Sequence, residues 1–263
     1  MVKRSSRRAG PTRRIITLVA PVLLAVGLAV GYIVIDELGS KNDTANPAPA
    51  RAVQVDGKDV PGLLTNLVVA PEASMTGYSR EKFPHWDSNK PEHGFGAEYA
   101  QYAKCETRDV MLLRDATGTV KLDAQTCKLT VSKGGGWRDQ YGIMDRKSGK
   151  LKEYKFTADP SGMDADHIVA LAEAWRSGAA DKDENTRRNI ANDAENLVAA
   201  DPSANRSKGD QDPSDYLPPG TYRCAYIAHY IKVKVKYGLA VDSDEQTALR
   251  TAVDDCVKRG EFK

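Results

Sequence analysis

Histidine and cysteine are scarce in this 263-residue chain, at four each, and aromatic residues make up only 7% of it. No histidine stands in an HExxH pair, which excludes zinc hydrolases that hold their metal on two helical histidines one turn apart. None of the cysteines, Cys105, Cys127, Cys224 and Cys256, belongs to a CxxC. Without close-spaced ligand pairs, a four-cysteine zinc site is the weaker reading of them. A large excess of charge is also missing, since 38 Lys and Arg face 36 Asp and Glu. No internal repeat is present, so repeat architectures are set aside.

The charge that is there is unevenly placed. Lys3, Arg4, Arg7, Arg8, Arg13 and Arg14 fall in the first fourteen residues with no acid among them, and residues 15–35 carry no charge. As a helix those 21 residues would span about 31 Å, close to the roughly 30 Å hydrocarbon core of a bilayer. A basic flank holds its end in the cytoplasm, so the remainder is expected outside. The expected layout is a cytoplasmic tail at 1–14, a single-pass membrane anchor at 15–35, a polar linker at 36–58 and one outward domain at 59–263. A cleaved signal peptide, followed by secretion, is the alternative. Its apolar region is usually about 7–15 residues, although the small residues around Ala48 and Ala50 offer a cutting point. Without the tail, 32 basic residues face 36 acidic ones. Phosphate affinity would therefore have to come from local basic clusters or from a metal.

An oxidising location makes disulfides the natural reading of the four cysteines. Three pairings exist, and Cys105–Cys127 with Cys224–Cys256 is favoured because each closes a moderate loop within its own region. The outward part suits one domain with a sizeable core. Leu63, Leu64, Leu67 and Val68 recur at helical spacing. Residues 110–127 read as a hairpin around the turn composition at 115–118, and 134–142 as an ordered loop with Trp137. Strands are expected at 154–156 and 166–169. Helices are expected at 171–177, ended by Gly178, at 188–199, and at 244–256 with Leu249 and Val253 inward. Residues 230–237 alternate with period two and, taken alone, form a strand. The three tryptophans read as packing residues, Arg187 and Arg188 as a solvated helix face, and His93 and His229 as structural.

Three sequence pieces lie in order: Asp164-Ala165-Asp166-His167-Ile168-Val169, then Asn192-Asp193 with Asn196-Leu197, then Asn205-Arg206-Ser207-Lys208-Gly209-Asp210. Together they resemble the HNH nuclease family, and more closely its secreted or membrane-anchored bacterial branch, similar to the C-terminal domain of GmrSD enzymes. Tyr78-Ser79-Arg80, Phe83, His85-Trp86, Thr107-Arg108-Asp109 and residues 174–178 carry the same resemblance. It implies an α+β domain built on a ββα-metal centre, with a motif core at 154–218. By the resemblance, Asp166 and Asn205 hold the metal, His167 is the general base and Asn196 orients it. Asn205 would begin the last helix of the motif, with Arg206 and Lys208 near it to hold backbone phosphates. The resemblance also implies that 224–237 is helical, against the local alternation.

The chemistry agrees with these roles. Hydrolysing a phosphodiester takes a base that deprotonates water and a cation that absorbs charge on the phosphate, and an imidazole with an ordinary pKa near 6.5 suits the first. Two hard oxygen ligands favour magnesium or manganese, with zinc the lesser candidate. The expected substrate is DNA, or RNA. The competing class is a surface-anchored binding protein that keeps the fold without catalysis. Adjacent side chains on a strand point to opposite faces, so the strand must be irregular at His167 or end there.

Overall fold

The computed structural model describes residues 59–145 and 147–262. The anchor, tail and linker expected at 1–58 lie outside them. No helix among the described residues is long and apolar enough to cross a membrane. In chain order the elements are α1 (Val60–Leu64), α2 (Thr107–Asp115), β1 (Ala116–Thr117), β2 (Val120–Leu122), β3 (Leu129–Val131), β4 (Gly136–Arg138), β5 (Ile143–Met144), β6 (Leu151–Glu153), β7 (Phe156–Thr157) and β8 (Asp164–His167). Then follow α3 (Leu171–Arg176), α4 (Glu184–Asn192), β9 (Leu197–Ala200), α5 (Pro202–Lys208), α6 (Arg223–Tyr237) and α7 (Ser243–Lys258). The strands form four small sheets, β1-β4-β7, β2-β3, β5-β6 and β8-β9.

The β8-β9 pair organises the rest. It is antiparallel, with Asp164 opposite Ala200, Asp166 opposite Val198 and His167 opposite Leu197. Every residue of β9 is buried, which explains its unbroken apolar run. Its alternation sends Leu197 and Ala199 into one core with Val110, Met111, Leu112 and Trp137, and Val198 and Ala200 into a second with Ile227, Tyr230 and Leu249. The hairpin therefore stands between two apolar clusters, and a residue on β8 meets one or the other according to its parity.

Three local expectations are corrected. Residues 107–115 are a helix, not the first arm of a hairpin, because Val110, Met111 and Leu112 bury together against the core that includes Leu197; the hairpin is β2-β3, further along. The helical pattern at 188–199 breaks after Asn192, where Asp193 accepts from the backbone of Glu195 (2.8 Å) and turns the chain into β9. Residues 230–237 belong to α6, as the resemblance implies. Their alternation misleads because Lys234 is not on a solvated face but fully buried. Trp137 and Trp175 are core residues, whereas Trp86 is only half-buried. Arg187 is half-buried and tied down rather than free on a solvated face. It donates to the backbone carbonyls of Lys82 and Lys182 and lies over Trp175.

The disulfides are Cys105–Cys127 and Cys224–Cys256, 22 and 32 residues apart. Closing loops of this length removes chain entropy from the unfolded state worth roughly 3–4 kcal/mol each. Replacing Cys224 and Cys256 together with alanine should therefore lower the unfolding free energy by about that amount, as read from the urea midpoint. An unchanged midpoint would contradict the entropic account.

Candidate active site

His167 is the last residue of β8, which resolves the parity conflict by ending the strand there. Its Nε2 lies 2.9 Å from the backbone oxygen of Ala191. A carbonyl only accepts, so Nε2 carries the proton and Nδ1 keeps a free lone pair. The ring lies parallel to that of Trp86, with centroids 5.8 Å apart and 7° between planes. Burial pushes the His167 pKa down to about 3 against the raising effect of the Ala191 carbonyl, and the charges of Arg80 and Lys208 act in the same direction as burial. The imidazole is therefore neutral at neutral pH, with Nδ1 as its open acceptor.

Asn196 does not bond the histidine. Its Oδ1 accepts from the Val169 amide (2.8 Å), and its Nδ2 donates to the carbonyl of Ile190 (2.9 Å). It ties the strand exit to the end of α4, next to the carbonyl that orients His167. Its action on the ring is one residue removed.

Asp164 and Asp166 share the other face of β8. Asp166 is buried, accepting from the Tyr141 hydroxyl at 2.6 Å and pairing with the Lys208 ammonium at 3.1 Å. Lys208, expected as a phosphate contact, is instead fully buried and turned inward as the counter-charge of Asp166. Asn205 sits in the middle of α5, because Asp201 caps that helix by accepting from the amides of Ser203 and Ala204. The Nδ2 of Asn205 donates to Asp164 at 3.0 Å, and both residues are half-buried. Arg206 is exposed beside them.

Asp164, Asp166 and the free Oδ1 of Asn205 offer only hard oxygens, a donor set that fits magnesium or manganese better than zinc. The Lys208 ammonium already engages the Asp166 carboxylate, so a metal ion here would share that ligand with it. A second acidic cluster, Glu72, Glu173 and Asp212, already holds a cation. The Arg176 guanidinium reaches Glu72 at 2.8 Å and Glu173 at 2.9 Å.

Sequence reasoning missed Asp164 as the partner of Asn205, although its position two residues before Asp166 puts both on one face. It also missed Tyr141, the Ala191 carbonyl and the Trp86 stack, none of which leaves a local signal.

The family model described as GmrSD restriction endonucleases, C-terminal domain, matches residues 106–252. An "Uncharacterized secreted protein" from Arthroderma benhamiae is 35% identical over 216 residues, covering 81% of this chain and 92% of that protein. No solved structure matches the chain. More than half of the residues thus fall within one family model, and the chain belongs to the family of the GmrSD restriction endonuclease C-terminal domain.

Proposed function

We propose that the chain is a metal-dependent nuclease of HNH type that hydrolyses phosphodiester bonds of DNA, with the β8-β9 hairpin and α5 as its ββα-metal centre. The observation that carries this reading is the state of His167, a neutral imidazole whose Nε2 is spent on the Ala191 carbonyl and whose Nδ1 is free to take a proton. Among the described residues β8 is paired on one side only, by β9. A phosphodiester over its free edge would have His167 on one side and the oxygens of Asp164, Asp166 and Asn205 on the other. His167 Nδ1 removes the proton from the attacking water as its oxygen bonds to phosphorus and the bond to the leaving oxygen breaks. Asp166 and Asn205, joined by Asp164, would hold a divalent cation that acts as a Lewis acid on the phosphate. Tyr141 and Lys208 fix the Asp166 carboxylate, and Arg206 faces solvent where the backbone of a substrate would pass.

The two disulfides and the secreted relative support action outside the cytoplasm, and the uncharged run at 15–35 behind a basic tail supports a membrane anchor. One observation favours the inactive binding protein as a second reading, namely that Asp166 is already engaged by Tyr141 and Lys208. Incubating the oxidised protein with plasmid and with RNA in magnesium, manganese, zinc or EDTA separates the two. Nicking of plasmid in magnesium or manganese, lost in EDTA, is the expected result. Retention of DNA without cleavage under every metal would leave the binding protein.

A further inference from the structure

The loop against His167 comes from upstream of the matched family region, and it is firmly pinned. Asn192 donates to the Pro84 carbonyl at 2.9 Å and accepts from the Asp87 amide at 2.8 Å. Arg187 donates to the Lys82 carbonyl at 2.8 Å, and the Thr107 amide donates to Asp87 at 2.9 Å. Held in this way, the loop lays Trp86 flat along His167 and sets His85 edge-on to it, with ring centroids 6.5 Å apart.

Both ring nitrogens of His85 are committed. Nδ1 donates to the Phe83 carbonyl at 2.6 Å, so Nε2 is unprotonated and accepts from the Nε of Arg80 at 3.3 Å. This fixes the guanidinium through its inner nitrogen by an imidazole, and the neighbouring Glu81 carboxylate feels its charge without forming an ion pair with it. The two outer amino groups of Arg80 have no hydrogen-bond or ion-pair partner among the described residues. Asp87, the carboxylate within residues 83–87, is turned away to Lys90 and His93. An exposed guanidinium with its outer fork unspent, one imidazole away from the candidate base, has the shape and charge to grip a phosphate oxygen.

We propose that Arg80, oriented by His85, contacts a phosphodiester of the nucleic acid bound at His167, so that a segment outside the matched family region completes the active site. The inference rests on the nuclease reading. Arg80 is the contacting group and His85 a positioning residue that acts through it. Lysine would keep the charge at position 80 but lose both the fork and the Nε donor that His85 accepts.

Two measurements test this, each on the full oxidised protein: anisotropy of a labelled duplex oligonucleotide in EDTA across a salt series, and single-turnover cleavage in magnesium. Arg80→Ala is expected to slow cleavage by about 10–100-fold, the range of a lost charge-assisted contact, and to reduce the slope of log affinity against log salt by about one. Arg80→Lys should recover the slope but only part of the rate. His85→Ala should give a smaller loss and add nothing on top of Arg80→Ala, as coupled residues do. A single methylphosphonate beside the cleaved linkage that slows the wild type should leave Arg80→Ala unaffected. Equal rates and salt slopes for wild type and Arg80→Ala overturn the inference while leaving the nuclease reading intact, and additive His85 and Arg80 effects overturn the positioning role. A wild-type protein that neither binds nor cleaves the duplex overturns both readings.

Discussion

His167→Ala should reduce DNA cleavage by about 10²–10⁴-fold, the contribution usual for a general base, with no recovery when the metal is raised to saturation. The imidazole is the group whose Nδ1 lone pair is free while its Nε2 is held by Ala191, and alanine has nothing to replace it. Because the ring is buried against Trp86, the loss of packing must be separated from the loss of chemistry. His167→Asn, which fills more of the space, should unfold later than His167→Ala yet remain as inactive. Asp166→Ala and Asn205→Ala should behave differently, because a ligand lost from the cation shifts the metal concentration needed rather than removing the proton acceptor. Part of their activity should return at high magnesium. His167→Ala cleaving at the wild-type rate under saturating magnesium would end the assignment of the base.

The contrast between those variants also marks how far the sequence could be read. The order Asp166-His167, Asn196, Asn205 carried the family, and loop length carried the pairing of the cysteines within their own regions, because each depends on neighbours along the chain. What it could not carry were contacts made across the fold. The orienting group at His167 is a backbone carbonyl, which has no side-chain signature, and Asn196 only fastens the residue beside it. Lys208 sits in a motif rich in basic and polar residues and reads as a phosphate contact, yet burial against Asp166 and Tyr141 turns it inward. The hairpin expected at 110–127 and the helix expected at 188–199 failed where short apolar runs fit either period. Their assignment was decided by the two cores on either side of β9 rather than by local preference.

Lys234 is the most instructive of the misread positions, and its replacement should have the largest effect on stability. In the alternating stretch 230–237, read alone as a strand, nothing in the sequence sets it apart from Lys232 and Lys236. On α6, however, it is fully buried, with its ammonium 2.6 Å from Glu173, 3.0 Å from Glu245, 2.6 Å from the Ser177 hydroxyl and 2.8 Å from the Ala240 carbonyl. Three helices, α3, α6 and α7, thus meet on one cation. Burial and the nearby Glu173 push the Glu245 pKa up to about 7 in spite of the lysine, while Lys234 and other partners hold that of Glu173 below its ordinary value. Lys234→Met keeps much of the apolar length but leaves two buried carboxylates without their shared counter-charge, a loss of about 3–5 kcal/mol. The deficit should depend on pH with a definite sign. Glu245 has a folded pKa above its unfolded one, so its ionised form penalises folding as pH rises through about 7, and removal of the cation strengthens that penalty. Denaturant unfolding of wild type and Lys234→Met at pH 5 and pH 8 should therefore show the larger gap at pH 8, where both carboxylates are driven to ionise. A gap that is the same at both pH values would mean that the cost is one of packing and not of buried charge. Adding Glu173→Gln to Lys234→Met should then recover part of the stability at pH 8 and little of it at pH 5.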